Sequence, residues 1–137
     1  MRLELKILAH KEPLIAIEIS DLDTENNLFT EEKIGIQNGE TDEIKSTYLI
    51  SDGVAILDVQ MKFSTPQTMQ SQITGESIVL NFICSNNVEV TIDFVEIKKN
   101  TTENTHNILY ANNLNSSFEI PALEEINNIY IILYNDY

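Results

Sequence analysis

The sequence predicts an all-β protein, an antiparallel double-sheet jelly roll or barrel with very little helix. Apolar and polar residues alternate along short segments, most clearly from Val88 to Phe94, which is the pattern of half-buried strands. Polar turn signals such as Asn38-Gly39 and Asp52-Gly53 separate these segments. No long stretch has the 3.6-residue period of an amphipathic helix. A double sheet closes many short strands without leaving long open edges.

Each predicted element follows from the local hydrophobic pattern and from the turn-forming residues that end it. The alternation breaks near Asp58, which predicts a bulge or a long bent strand, and Pro66 ends that strand. Gly75 predicts a turn, and the strands on either side of residues 85–87 form the clearest hairpin. Residues 20–30 are polar and predict an irregular or short helical segment, and residues 121–125 predict one helical turn. The predicted strands are Leu14–Ile19, Lys33–Ile36, Ile44–Ile50, Val54–Phe63, Thr68–Ile73, Ile78–Cys84, Val88–Ile97, His106–Tyr110, Ser117–Ile120 and Ile129–Tyr134.

Pairs of asparagines recur along the chain, and we interpret them mostly as turn residues. Asparagine tolerates positive φ and hydrogen-bonds its own backbone, so such pairs are typical of hairpin ends. The pairs are Asn26-Asn27, Asn86-Asn87, Asn112-Asn113 and Asn127-Asn128.

Composition limits the class of protein. A chain of 137 residues predicts a single domain, residues 1–137, with a substantial core. The net charge of −14 opposes direct contact with nucleic acid and with an anionic membrane surface. No apolar run is long enough to cross a bilayer, and no signal-peptide core is present. The single cysteine excludes an intramolecular disulfide, so we expect a cytoplasmic protein.

Three short motifs resemble the N-terminal cupin-like sensor domain of bacterial AraC-type transcription regulators. Tyr48–Gly53 resembles a "Tyr–x–x–x–Asp/Asn–Gly" hairpin, and Val79–Phe82 resembles a "hydrophobic–x–His/Asn–Phe" strand. Thr105–Tyr110 resembles a "Gln/Thr–His–Asn–Ile–x–Tyr" strand, and the coarse pattern extends over residues 30–134. The chain departs from the pattern at Asn81, where many relatives have histidine, and at Asn112, where relatives often have proline.

The resemblance implies a ligand-sensing or dimerisation domain that controls a DNA-binding domain by population shift. The C-terminal helix-turn-helix DNA-binding domain of such regulators is absent from this chain. The chain is therefore either an excised domain or a free-standing relative. Two other functions stay open: a free-standing carbohydrate- or small-molecule-binding jelly roll, and a metal-dependent cupin enzyme.

Catalytic and metal-binding patterns are missing from the sequence. Enzymatic cupins bind a metal through two histidines and a glutamate close together, plus a later histidine, whereas this chain has only His10 and His106. No G-x-S-x-G motif is present, and nothing near Cys84 in sequence is positive enough to activate its thiol. We therefore expect no enzymatic activity, no metal and no cofactor.

The barrel interior is the remaining candidate site, because small barrels can hold one small ligand. We expect a small neutral metabolite, since Arg2 is the only arginine and few cations exist to pair with anions. A homodimer is compatible with the same reasoning, and a fully packed core is the alternative to a pocket. Asn81 and Asn107 are polar residues in apolar strands, which indicates either an inward polar group or an outward strand position. The predicted ligand-binding residues are Tyr48, Leu80, Phe82, Phe94, Asn107, Leu109 and Tyr130, with Ile56, Val90 and Ile92 as further lining residues.

Overall fold

The computed structural model describes residues 1–8, 12–18, 27–37, 40–51, 53–84, 88–92, 95–101 and 105–134. Of these, residues 27–37, 40–41, 88–92, 95–101, 105, 107 and 111 are described by their backbone only. The described residues form strands and turns, and none of them lies in a helix. The strands are β1 Arg2–Ile7, β2 Ile15–Glu18, β3 Asn27–Gln37, β4 Glu40–Ser51, β5 Val54–Lys62, β6 Gln67–Ile83, β7 Val88–Ile92, β8 Val95–Thr101, β9 Thr105–Ile120 and β10 Ile126–Tyr134.

All strand pairs are antiparallel, and the sheet curls into a half-barrel. The order of hydrogen-bonded neighbours is β3-β4-β5-β10-β6-β9-β7-β8, and a hairpin of β1 and β2 attaches to β6. The predicted all-β, antiparallel fold with very little helix is confirmed.

The two longest strands, β6 and β9, run through both halves of the barrel. The first half of β6 pairs with β1 and with the end of β9, whereas its second half pairs with β10 and with the start of β9. The register shifts between Thr74 and Ser77, and Gly75 has φ +111° at this bulge. Bulges bend a strand and increase its twist, so this one allows β6 to serve both halves.

Side chains alternate between buried and exposed along most described strands. The buried residues come from both halves and form one core, in which fully burying a large apolar side chain contributes about 1.5–3 kcal/mol. Leu3, Ile17, Leu57, Ile73, Val79, Phe118 and Ile132 are examples from different strands.

Several predicted elements are wrong in detail. Gly75 does not end a strand, because it is a bulge inside β6. The predicted hairpin across residues 85–87 is also wrong: β7 pairs with β8 and β9, whereas β6 pairs with β1, β9 and β10. The predicted strand from Val88 to Ile97 is two strands, and the two predicted strands between His106 and Ile120 are one.

Other differences concern the ends of elements. Strand β1 was not predicted, and β5 pairs through Asp58 without a register shift. Residues 122 and 123 form a turn in which Leu123 has φ +63°, so the predicted helical turn is not there. Residues 27–30 of the predicted irregular segment belong to β3, and residues 19–26 lie outside the described part of the chain. The predicted turn at Asn38-Gly39 also lies outside it, between the paired residues Gln37 and Glu40.

We predict that Gly75→Asn destabilises the protein by about 1–3 kcal/mol, because φ +111° lies far from the left-handed helical region that asparagine tolerates. Gly53→Asn is the matched control, since φ +73° at Gly53 is close to that region. Urea denaturation of both variants measures the difference. Equal stability of the two variants would contradict the role assigned to the bulge.

Candidate functional site

Five residues on neighbouring strands lie directly opposite one another across the middle of the sheet. They belong, in order, to β4, β5, β10, β6 and β9, and directly opposite residues of antiparallel strands share a face of the sheet. We call this set the central row: Tyr48, Leu57, Tyr130, Asn81 and Asn107.

Tyr130 lies at the centre of a buried polar cluster, which we define as Ser71, Asn81, Asn128 and Tyr130. All four residues are more than nine-tenths buried. The Asn128 Nδ2 donates a hydrogen bond of 2.9 Å to the Tyr130 hydroxyl oxygen. Burial raises the pKa of the Tyr130 phenol, and hydrogen bonds with Ser71, Asn128 and Asn81 oppose that rise. The phenol is therefore neutral at physiological pH.

Two buried oxygens in this cluster lack hydrogen-bond partners. The Oδ1 atoms of Asn81 and Asn128 are inaccessible to solvent, and no described residue donates to either of them. A buried acceptor without a donor costs about 1–3 kcal/mol, so natural cores rarely keep two side by side. Amides and hydroxyls can bind and orient a neutral polar group.

The space next to the cluster is small. A cavity of about 10 Å³ touches Asn128, which is room for one water molecule and not for a metabolite. We expected a metabolite-sized cavity flanked by residues 78–84, 88–97 and 106–110, and this stays a prediction because the side chains of residues 88–97 lie outside the described part of the chain. The small cavity beside Asn128 is lined by Met61, Met69, Ile83, Phe118, Ile120, Ile126 and Asn128.

Four of the seven predicted ligand-binding residues lie in or beside the central row. Tyr48, Asn107 and Tyr130 belong to the row by register. Leu109 lies opposite Val79 in the adjacent row and packs against the core. These four predicted positions thus share one face of the sheet by register, and their contact with a ligand stays a prediction.

The inward position predicted for Leu80 and Phe82 is wrong. Val79, Asn81 and Ile83 face the core, so the intervening Leu80 and Phe82 lie on the outer face of the sheet, where they are half-buried. Ile56 is opposite Ile131 on the same outer face. Phe94 lies outside the described residues, and Val90 and Ile92 are described by backbone alone.

Sequence reasoning did not identify Ser71 and Asn128. Asn128 was interpreted as part of a turn pair, but it lies inside β10. The isoleucines and the tyrosine around it, Ile126, Ile129 and Tyr130, form a strand pattern that could have identified it. Ser71 gives no such signal, because serine is common in exposed strand positions.

Larger pockets lie at the surface. Their volumes are about 350 Å³ beside Ile44 and Glu125, about 320 Å³ beside Gln70 and Asn115, and about 220 Å³ beside Tyr110 and Tyr134. Within the described ranges, no group of three or more His, Cys, Asp or Glu residues could hold a metal ion. His106 is exposed, and its ring centroid lies 6.2 Å from that of Phe82. No described helix could span a membrane.

Comparison with solved structures supports the architecture. The cupin domain of Cnp3 from Schizosaccharomyces pombe superposes with a TM-score of 0.50 at 14% identity, over 80% of this chain and 88% of that chain. The chain has a cupin-like fold. KdgF from Halomonas sp. gives a TM-score of 0.49 at 7% identity, over 77% of this chain and 88% of that one. The EutQ protein of Clostridium difficile gives 0.46 at 14% identity, over 73% and 74%.

Sequence comparisons give no match. No protein-family model matches the chain, and no curated protein is similar to it. At these low identities, the likeness to solved structures shows the fold alone.

We predict that Tyr130→Phe destabilises the protein by about 1–3 kcal/mol, because it leaves the buried Asn128 Nδ2 without its acceptor. It should also change the response to alkaline pH. A raised pKa in the folded state favours the neutral phenol, so this contribution is complete below about pH 10 and is lost as the pH rises above it. Urea denaturation at neutral and alkaline pH measures both effects.

Tyr110→Phe is the matched control, because Tyr110 is exposed and its hydroxyl donates a hydrogen bond to the exposed Glu76 carboxylate. Removal of the Tyr110 hydroxyl should leave the free energy of unfolding at neutral pH almost unchanged. Equal losses of stability in the two variants would contradict a specific contribution from the buried Tyr130 hydroxyl.

Proposed function

We propose that this chain is a sensor domain that binds a small uncharged metabolite at the polar cluster and thereby regulates a DNA-binding domain of the AraC type. The observation that carries the proposal is the pair of buried Oδ1 atoms of Asn81 and Asn128 without donors. A ligand with amide or hydroxyl donors would satisfy both acceptors, and the Tyr130 hydroxyl would complete its hydrogen bonds. No charged side chain belongs to the cluster, so a neutral ligand fits it best.

The motifs that resemble AraC-type regulators support the same site. Each of the three contributes one member of the central row: Tyr48 from the first, Asn81 from the second and Asn107 from the third. These positions are distant in sequence and share one row of the sheet, in which Asn81 is directly opposite Asn107 and Tyr48 lies three strands away from Asn81.

Binding at the cluster requires a change in the packing around it. The cavity beside Asn128 has a volume of only about 10 Å³, so a metabolite needs an arrangement of the core in which this space is larger. Met61 and Met69 line this space, and their unbranched side chains can repack around a ligand. Such a change in shape is what a regulatory domain passes to its partner.

We predict that one or more neutral metabolites with amide or hydroxyl donors raise the melting temperature in a concentration-dependent way. Stabilisation should reach about 2.7 kcal/mol at a ligand concentration 100 times the dissociation constant. Asn81→Leu should abolish this shift while keeping the fold, because it removes one acceptor and retains the volume. Thermal-shift titration of both proteins measures the effect.

Gln72→Ala is the control for this experiment, since Gln72 lies in a polar groove at the surface. It should leave the ligand shift unchanged. A shift that survives Asn81→Leu, or the absence of any shift across a broad neutral panel, would contradict binding at the cluster. Regulation of a DNA-binding domain has a separate test. It requires that the reading frame encoding this chain also encode two basic helix-turn-helix units.

A second candidate function is carbohydrate binding in that surface groove. The groove has a volume of about 320 Å³ and presents side chains that can hydrogen-bond to sugar hydroxyls. Its exposed or half-buried lining includes Glu4, Lys6, Gln70, Gln72, Asn115 and Ser117. In this case a neutral sugar should raise the melting temperature of the Asn81→Leu variant but not that of the Gln72→Ala variant. This is the reverse of the result expected for binding at the polar cluster.

We predict that the purified protein contains no stoichiometric transition metal. Two histidines distant in sequence do not supply the ligand set of a metal-dependent cupin enzyme. Elemental analysis of protein purified without chelator measures the content. One Fe, Mn or Zn per chain, lost on His106→Ala, would favour the enzyme over the sensor.

A further inference from the structure

The first half of β9 is an open edge of the sheet. Residues Thr105–Asn113 pair with β6 on one side, and no described strand pairs with their other side. Strand β7 meets β9 only from Ser116 onward. Unpaired backbone groups along such an edge are a template for another strand.

The other edges of the sheet carry the usual protection against pairing, which is charge or short length. β3 includes Glu31, Glu32 and Lys33, and β8 includes Glu96, Lys98 and Lys99. β2 is four residues long and ends at Glu18. Residues 105–113, THNILYANN, contain no Asp, Glu, Lys, Arg or Pro, in a chain with 22 acidic residues.

Large apolar side chains are exposed along this unprotected edge. Ile108 and Tyr110 are 67% and 68% exposed, more than any other large apolar residue in the described part of the chain. On the same face, Tyr110 lies opposite Ile78, and Ile78 lies opposite Leu133. Both of these are 39% exposed, so the apolar surface continues inward from the edge. Contiguous exposed apolar surface marks interaction sites.

We propose that β9 pairs antiparallel with β9 of a second copy, so that the sheets of two chains join into one. A two-fold axis at Leu109 would place Ile108 opposite Tyr110 of the other copy, and Thr105 opposite Asn113. An antiparallel strand is automatically complementary to itself about such an axis, as an isologous interface requires. Pairs of an aromatic and a β-branched residue stabilise adjacent strands.

Charge also favours a second copy at this edge. Two chains of net charge −14 repel each other, but the repulsion is spread over the surface and screened by salt beyond about 10 Å. Residues 105–113 themselves contain no Asp, Glu, Lys or Arg, and the Glu76 carboxylate beside them accepts a hydrogen bond from the Tyr110 hydroxyl. The dimer should therefore become tighter as salt concentration rises, whereas a contact held by ion pairs would weaken.

The experiment is sedimentation equilibrium of the full chain across a dilution series, at low and high salt. The wild-type protein should form a dimer that tightens with salt. Ile108→Lys should raise the dimer dissociation constant by about thirtyfold or more, because a two-fold axis places each substitution in the interface twice. The circular dichroism spectrum should stay unchanged, and so should the melting temperature at protein concentrations where both proteins are monomers, since Ile108 is already exposed.

Three controls make the result specific. Tyr110→Phe keeps the aromatic contact and should remain a dimer, as should Leu123→Lys, which is exposed away from the edge. Leu133→Lys should have a much smaller effect than Ile108→Lys, because Leu133 is in the interior of the sheet. A wild-type protein that stays monomeric at every protein concentration would overturn the proposal, even if the β9 edge binds a strand of another protein. A dimer that Leu133→Lys dissociates and Ile108→Lys does not would indicate stacked sheet faces, and would also overturn it.

Discussion

The two halves of the barrel depend on one strand, β6. The first half of β6 hydrogen-bonds to β1 and to the end of β9, and the second half of β6 hydrogen-bonds to β10 and to the start of β9. The bend at Gly75 lets a single chain segment change direction without losing its ladder partners. Ser71 and Asn81, which lie on either side of that bend, both reach the Tyr130 hydroxyl. The geometry of the polar cluster therefore follows from the shape of one strand.

A polar cluster in a small core opposes the main source of stability. Apolar side chains of the same size would pack without two unpartnered amide oxygens. The chain keeps Asn81 between the buried residues Val79 and Ile83 of the same face, and Asn128 between Ile126 and Tyr130. Retaining polar groups at that cost is expected where a protein uses its interior for recognition, and it sets a limit on how stable the unliganded domain can be.

The sequence was sufficient for the fold class and insufficient for strand order. Alternation and turn signals predict an antiparallel all-β fold because they reflect one buried face and tight local connections. The pairing of β6 with β1, β9 and β10 is long-range, and no local signal specifies it. Gly75 was interpreted as a turn because a glycine between two apolar segments has the same appearance in a turn and in a bulge.

The site was partly predictable for a related reason. Tyr48 and Tyr130 lie in the central row as expected, whereas Leu80 and Phe82 lie on the opposite face. β6 and β10 have apolar residues on both faces, as in Val79-Leu80 and Ile131-Ile132, so alternation does not indicate which face is inside. The cluster of four polar residues depends on contacts across the barrel, which only the three-dimensional structure provides.

The position of β10 has a consequence for how the protein is made. It is the last strand along the described chain, yet it lies between β5 and β6, and it pairs Tyr130 with Leu57, 73 positions earlier. Until the ribosome has released this segment, β5 and β6 have no common neighbour and their apolar edges stay open to other chains. Such distant pairing is slow and leaves a nascent chain prone to aggregation. Asn128 and Tyr130 belong to this same strand, so the polar cluster and the closed sheet form together when β10 pairs with β5 and β6.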